Sequence, residues 1–203
     1  MSYRFKLLST LIAVSLAGTV AAQTPPKVAR IRGDIVSFSG DTLTVHRRSG
    51  DTVVIALKPE VAVGAVKNIQ LSDIKPGSFI GTAAKTGADG KLTAMEVVVF
   101  PEAARGTGEG HYDWDLGSGS SMTNANVDSV LQSTNGRDLK LSYKGGSNDV
   151  TVPANVPVVT FAPATRADLL PGKKVFVVAT PDSADHFTGM RVVVEKDGVA
   201  PPM

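Results

Sequence analysis

Between residues 42 and 57 the chain alternates apolar and polar positions with a period of two. Leu43 and Val45 alternate with Thr42, Thr44 and His46, and Val53, Ile55 and Leu57 with Thr52, Val54 and Ala56. Such alternation, rich in β-branched residues, predicts half-buried strands. Gly40-Asp41 and Ser49-Gly50-Asp51 supply turn chemistry between the runs. In the first strand the apolar phase slips from Ile31 and Ile35 to Val36 and Phe38. A slip of that kind near Gly33 predicts a bulge or sharp bend, as a small barrel needs. Leu71-Ser72-Asp73-Ile74-Lys75 reads as one helical turn stopped by Pro76-Gly77, with strands to follow at 79–85 and 92–100.

The pattern then recurs. Asp73-Ile74-Lys75-Pro76-Gly77 is answered by Asp168-Leu169-Leu170-Pro171-Gly172, and Met95, Val97 and Val99 by Met190, Val192 and Val194, at the same offset of 95 residues. Leu43-Thr44-Val45 corresponds to Leu139-Lys140-Leu141, and the turn at Ser49-Gly50-Asp51 to Gly145-Gly146-Ser147. The order of elements agrees although identity is low, so a duplicated unit is expected, with copies at about 28–100 and 125–196.

Five short strands with a helical turn before the fourth match an OB-type barrel. The glycine-bearing first strand (32–36), the Leu43-Thr44-Val45 strand, the 71–77 corner and the closing 92–99 strand carry a resemblance. The chain resembles tandem copies of the bacterial exported OB-like domain of unknown function 5666. Copy two departs from that pattern: Leu170 stands where copy one has Lys75, and its first strand is poor in apolar residues. The resemblance implies export and fold but no activity. The expected fold is all-β: two tandem five-stranded OB-like barrels, each with one short helical turn, after a signal peptide. Domain one is placed at 28–100, an inter-domain segment at 101–124 and domain two at 125–196.

The leader carries Arg4 and Lys6, an apolar run over 7–20 and the small residues Val20-Ala21-Ala22. This is the layout of a secretory signal peptide over 1–22, cleaved before Gln23. Removing it balances basic and acidic residues at nineteen each, because the leader holds no Asp or Glu. A global electrostatic case for nucleic acid disappears with it. The chain has no cysteine, which excludes disulfides, thiolate nucleophiles and Cys-based zinc sites. A soluble periplasmic or secreted protein is expected, with no transmembrane segment once the leader is gone.

The inter-domain segment holds Glu109, His111, Tyr112, Asp113, Trp114, Asp115 and Leu116, including the only tryptophan of the chain. Flexible linkers rarely carry large aromatics. In an extended conformation Glu109, His111, Asp113 and Asp115 project to one side and Tyr112 and Trp114 to the other. The aromatic edge is expected to dock the segment on a barrel or to contact a ligand or partner, with Trp114, Tyr112 and Arg105 as candidate contacts. The acidic edge, imidazole between carboxylates, has the donor types for a divalent metal at Glu109, His111, Asp113 and Asp115. No cofactor is otherwise required.

Catalytic motifs are not found. Gly106, Gly108 and Gly110 are spaced by two and fail the dinucleotide fingerprint. Gly172-Lys173-Lys174 lacks the upstream glycine of a phosphate loop, and Gly117-Ser118-Gly119-Ser120 is no nucleophile elbow. His46 and His186 belong to no motif: His46 is expected to point outward from its strand, and His186, beside Asp185 in the last hairpin, to serve in a loop. Arg30, Arg32, Arg47 and Arg48 read most simply as a solvated barrel edge; if they form a local basic patch, an anionic envelope polymer suits an exported protein better than nucleic acid. The expected function is non-enzymatic: an exported binding or scaffolding protein whose partner is an envelope protein, a glycan or a small ligand near the inter-barrel segment. The alternative is a periplasmic divalent-metal-binding protein, and a hydrolase with an unrecognised acid pair stands third.

Overall fold

The computed structural model describes residues 28–134 and 136–202, so the leader expected at 1–22 lies outside the described residues. Thirteen strands are present among the described residues. The first half contributes β1 (Ala29–Ser39), β2 (Thr42–Arg47), β3 (Thr52–Ala56), β4 (Ala62–Asn68), β5 (Phe79–Thr86) and β6 (Leu92–Val99). A short β7 (Gly110–Asp113) follows. The second half contributes β8 (Ser120–Ser133), β9 (Gly136–Tyr143), β10 (Gly146–Pro153), β11 (Val158–Pro163), β12 (Lys174–Pro181) and β13 (His186–Val194). Short 3-10 turns at Leu71–Asp73, Glu102–Ala104 and Arg166–Asp168 are the helical elements. No helix among the described residues is long and apolar enough to cross a membrane.

The strands expected from the period-two runs form where expected, and the phase slip in β1 is a bulge between Ile35 and Ser37 that turns Val36 out to solvent. Gly33 serves a different purpose from the bulge. The β2 backbone crosses so closely there that a Cβ would collide with the carbonyl of His46.

The pairing departs from two tandem barrels. β1, β2, β3, β13 and β12 close a five-stranded barrel, antiparallel except where β13 runs parallel to β3. Its last two strands come from the second half of the chain. β5 and β6 pair instead with β8, β9 and β10 in a second ring, closed by a short parallel contact between β10 and β6. The halves therefore exchange their closing strands, and neither 28–100 nor 125–196 forms a ring by itself. β4 and β11, absent from the expected element list, are the crossing strands. They pair antiparallel with each other and parallel with β13 and β6.

Each ring holds its own core. Ile31, Leu43, Val45, Val53, Ile55, Val177 and Val192 fill the first, and Ile80, Val97, Ala125, Leu139, Leu141 and Val150 the second. The corner motifs plug the ring of the opposite half: Leu169 is buried in the first core and Ile74 in the second. Asp73 and Asp168 close capping boxes that tighten the two 3-10 turns. A third cluster of Val66, Val98, Val159, Phe176 and Val193 lies where the outer walls of the rings meet.

Residues 101–124 are not a linker between domains. β8 begins at Ser120, so Ser120, Ser121, Met122, Thr123 and Asn124 belong to its buried length, with β5 on one side and β7 on the other. The backbones of these polar residues are paired in the ladders, and the side chains of Ser120, Thr123 and Asn124 find hydrogen-bond partners, whereas the Ser121 hydroxyl is buried without one among the described residues. Thr123 Oγ1 lies 2.8 Å from His111 Nδ1.

Candidate functional site

Opposed residues on neighbouring strands share a face, and this rule assembles the seam between the rings. On the first ring Arg32, Phe176 and Val193 form one row across β1, β12 and β13, and Arg30, Val178 and Arg191 the next. On the second ring Glu96, Ala83, Met122 and Tyr112 form a row across β6, β5, β8 and β7. Glu96 and Arg191 sit at corresponding positions of the halves, 95 residues apart, so the exchange brings one acid and one base to the same seam.

β7 alternates as expected: His111 and Asp113 are exposed and Tyr112 is half-buried, and the alternation continues through exposed Asp115 and half-buried Trp114. The loop after it is tied by Ser120, whose amide-linked carbonyl accepts from the Trp114 N–H at 2.9 Å. The Ser120 hydroxyl lies 2.7 Å from the carbonyls of both Trp114 and Gly117. Trp114 is thereby pressed on the first ring, with the Arg30 guanidinium 4.1 Å from its ring centre and that of Arg32 at 5.7 Å. Tyr112 is 6.1 Å from Trp114, and its hydroxyl accepts from Asn124 Nδ2 at 3.2 Å. Burial pushes the Tyr112 phenol up, opposed by the charge of Arg30.

Arg32 is 9% exposed and forks onto Asp115 through two 2.9 Å hydrogen bonds, while its guanidinium also lies 4.9 Å over Phe176. Glu96, 3% exposed, has its carboxyl pushed up to about 7 by burial, against the lowering influence of Arg32 and Arg48 and with a small raising contribution from Asp115. Arg32 Nε, Glu96 Oε1 and Trp114 Nε1 are buried without a hydrogen-bond partner among the described residues. Native proteins leave few such atoms, and these three lie in one neighbourhood.

Beside them opens a cavity of about 250 Å³ lined by Arg30, Arg32, Arg47, Arg48, Ser49, Asp115 and Leu116. Arg47 is paired with Asp51 and Arg32 with Asp115, whereas Arg30 and Arg48 have no acidic partner among the described residues. The patch noted along β1 and the β2–β3 turn is thus a concave site. A larger cavity of about 470 Å³ lies on the second ring, but its lining charges, Lys91, Lys140, Asp138 and Asp149, balance in sign.

The proposed metal ligands are not gathered. Glu109 accepts from the Lys144 backbone N–H at 2.9 Å, His111 Nδ1 meets Thr123 and Asn148, and Asp115 holds Arg32. Among the described residues no three His, Cys, Asp or Glu side chains lie together as metal ligands. Arg105, expected at a ligand surface, is exposed and makes several contacts within the chain. It forks onto Glu102 at 2.6 and 2.7 Å, and reaches Asn126 Oδ1 at 2.6 Å and the Gly77 carbonyl at 2.9 Å. His46 and His186 are exposed beside Thr52 and Asp185. Sequence reading passed over Glu96 and Arg191, whose only signal was a charge inside an otherwise apolar run. Comparison with known proteins finds no family model, no curated protein and no solved structure that matches the chain.

Proposed function

We propose that this is a non-enzymatic binding protein, exported by its leader, that holds an anionic polymer such as an acidic glycan at the arginine cavity beside Trp114. The observation that carries this reading is the cavity itself, where four guanidinia converge and two of them, Arg30 and Arg48, have no acidic partner among the described residues. Arginine forks match carboxylate oxygens in pairs, and Trp114, stacked under Arg30, holds one of the unpaired guanidinia at the cavity wall. Asp115 occupies Arg32 and a bound acid group would compete with it. The pairing order supports an OB-like reading of each ring, since strand one pairs with two and four, and strand three runs parallel to five. The recurrence of sequence pattern supports descent from a duplicated unit whose halves exchanged strands.

Calorimetric titration of residues 23–203 with an oligogalacturonate tests the proposal, with a neutral maltodextrin as control. Binding should weaken at least about tenfold in an Arg30→Gln/Arg48→Gln variant and with added salt. Absence of heat in the wild type, or equal affinity in a folded variant, overturns it.

A further inference from the structure

A second site lies along the same seam, away from the arginine cavity. Arg191 on β13 is half-buried and lies 5.6 Å over the ring of Phe161. It takes part in no ion pair or side-chain hydrogen bond among the described residues. Burial alone lowers its affinity for the proton, with no acid acting in the opposite direction. A guanidinium does not lose its charge in proteins, so this half-desolvated and unpaired one presents five N–H donors with no protein partner among the described residues.

Two cavities meet at this residue, sharing Phe100, Thr107 and Arg191 in their walls. One is a groove of about 260 Å³ between the β4–β13 face and the 3-10 turn after β6, with Val63, Gly64, Phe100, Ala104 and Phe161 among its walls. The other, about 160 Å³, runs toward Met122, Trp114 and Phe176. Arg191 is the only charged residue in either lining. Gly81 keeps the junction open, since a Cβ there would stand 3.0 Å from the Phe100 ring and 2.6 Å from Asn124 Oδ1.

We infer that this junction binds an amphiphile with one carboxylate head and an apolar chain, the head on Arg191 and the chain along the groove. A carboxylate returns two hydrogen bonds and one neutralising charge to a single guanidinium. A phosphate dianion would call for a second cation, and none lines the groove. The apolar walls favour a hydrocarbon chain by about 25 cal/mol for each Å² removed from water.

The test is calorimetric titration of residues 23–203 with decanoate below its micellar concentration, supported by emission of the sole tryptophan, which lines the smaller cavity. Decanoate should bind, decanol should bind at least about tenfold more weakly, and decyltrimethylammonium should not compete. Arg191→Gln should lose at least about tenfold in decanoate affinity, Arg191→Lys less, and Arg48→Gln nothing. No binding of decanoate, equal affinity for decanol, or an unaltered and folded Arg191→Gln variant each overturns the inference. The head-group series on the wild type decides the matter if Arg191→Gln does not fold. Retained decanoate binding in Arg48→Gln separates this site from the acidic-glycan site.

Discussion

The amide of Gly172 donates to the carbonyl of Ile35 at 2.8 Å, joining the Pro-Gly corner of the second half to the bulged first strand of the first half. The converse bond, from Gly77 to the carbonyl of Val127, has the same length. Both glycines hold positive φ, at 86° for Gly77 and 82° for Gly172, a conformation that costs other residues energy. Each corner therefore docks on a bulge belonging to the opposite half, and the strand after it completes the opposite ring.

Separate production of the halves tests that exchange. A break within Gly117-Ser118-Gly119, an exposed turn, divides the chain without cutting a strand. Each fragment alone should remain unfolded or self-associate, and the mixture should give a folded one-to-one complex in native mass spectrometry. Two independently folded monomeric fragments would instead mean that each half can close its own ring.

Glu96 sets a pH dependence. Its carboxyl titrates near 7 in the folded protein, against 4.5 when unperturbed. Between those values the folded state retains a proton that the unfolded chain has released. Stability is therefore highest below about pH 4.5 on this account and falls as pH rises toward 7, by about 3 kcal/mol in all. The charges that face it are Arg32 from β1, Arg48 from the β2–β3 turn and Asp115 from the segment after β7. Urea unfolding across this window should show the slope in the wild type and its loss in Glu96→Gln. Parallel curves would show that the carboxyl stays ionised when folded.

Two glycines separate steric from conformational demand. Gly33→Ala forces a methyl group into the His46 carbonyl, a backbone atom that cannot turn aside, and should cost about 3 kcal/mol or more. Gly40→Ala meets nothing within 4 Å but must hold φ at 59°, and should cost about 1 kcal/mol. Urea midpoints rank the pair, and the reverse order would mean that β1 and β2 lie farther apart than described.

Arg105 braces the segment after β6. Arg105→Ala removes the contacts to Glu102, Asn126 and Gly77, so amide hydrogen exchange over 102–113 should accelerate. Exchange in β2 and β3, whose core Arg105 does not touch, should be unaltered. A uniform acceleration would show that the segment is part of the cooperative unit.

The elements that the sequence determined by itself are those specified within a few residues. Alternation places β2 and β3, and apolar runs on either side of the turn at 87–90 place β5 and β6. The Asp-x-x-Pro-Gly spacing places the corners, because the aspartate caps the same turn that the proline and glycine end. The phase slip at Val36 marks the bulge, and alternation along 109–115 separates the aromatic edge from the acidic one. β8 was illegible at its start because Ser120, Ser121, Thr123 and Asn124 are polar by type and buried only through pairing with β5 and β7.

Tertiary structure alone decided which strands close which ring. β5 and β12 are both near-continuous apolar runs buried over most of their length, and nothing in either pattern says which of them β1 pairs with. A binary pattern specifies which face is buried but not whose neighbour it becomes. The crossing strands β4 and β11 settle that choice by pairing with each other and carrying the chain into the opposite ring. The same long-range contacts set Arg30 on Trp114, Arg32 on Asp115 and Arg191 between two cavities, relationships between residues 83 or more positions apart for the first two pairs. No local pattern encodes a neighbour at that distance, because the contact depends on strands from both halves of the chain being paired.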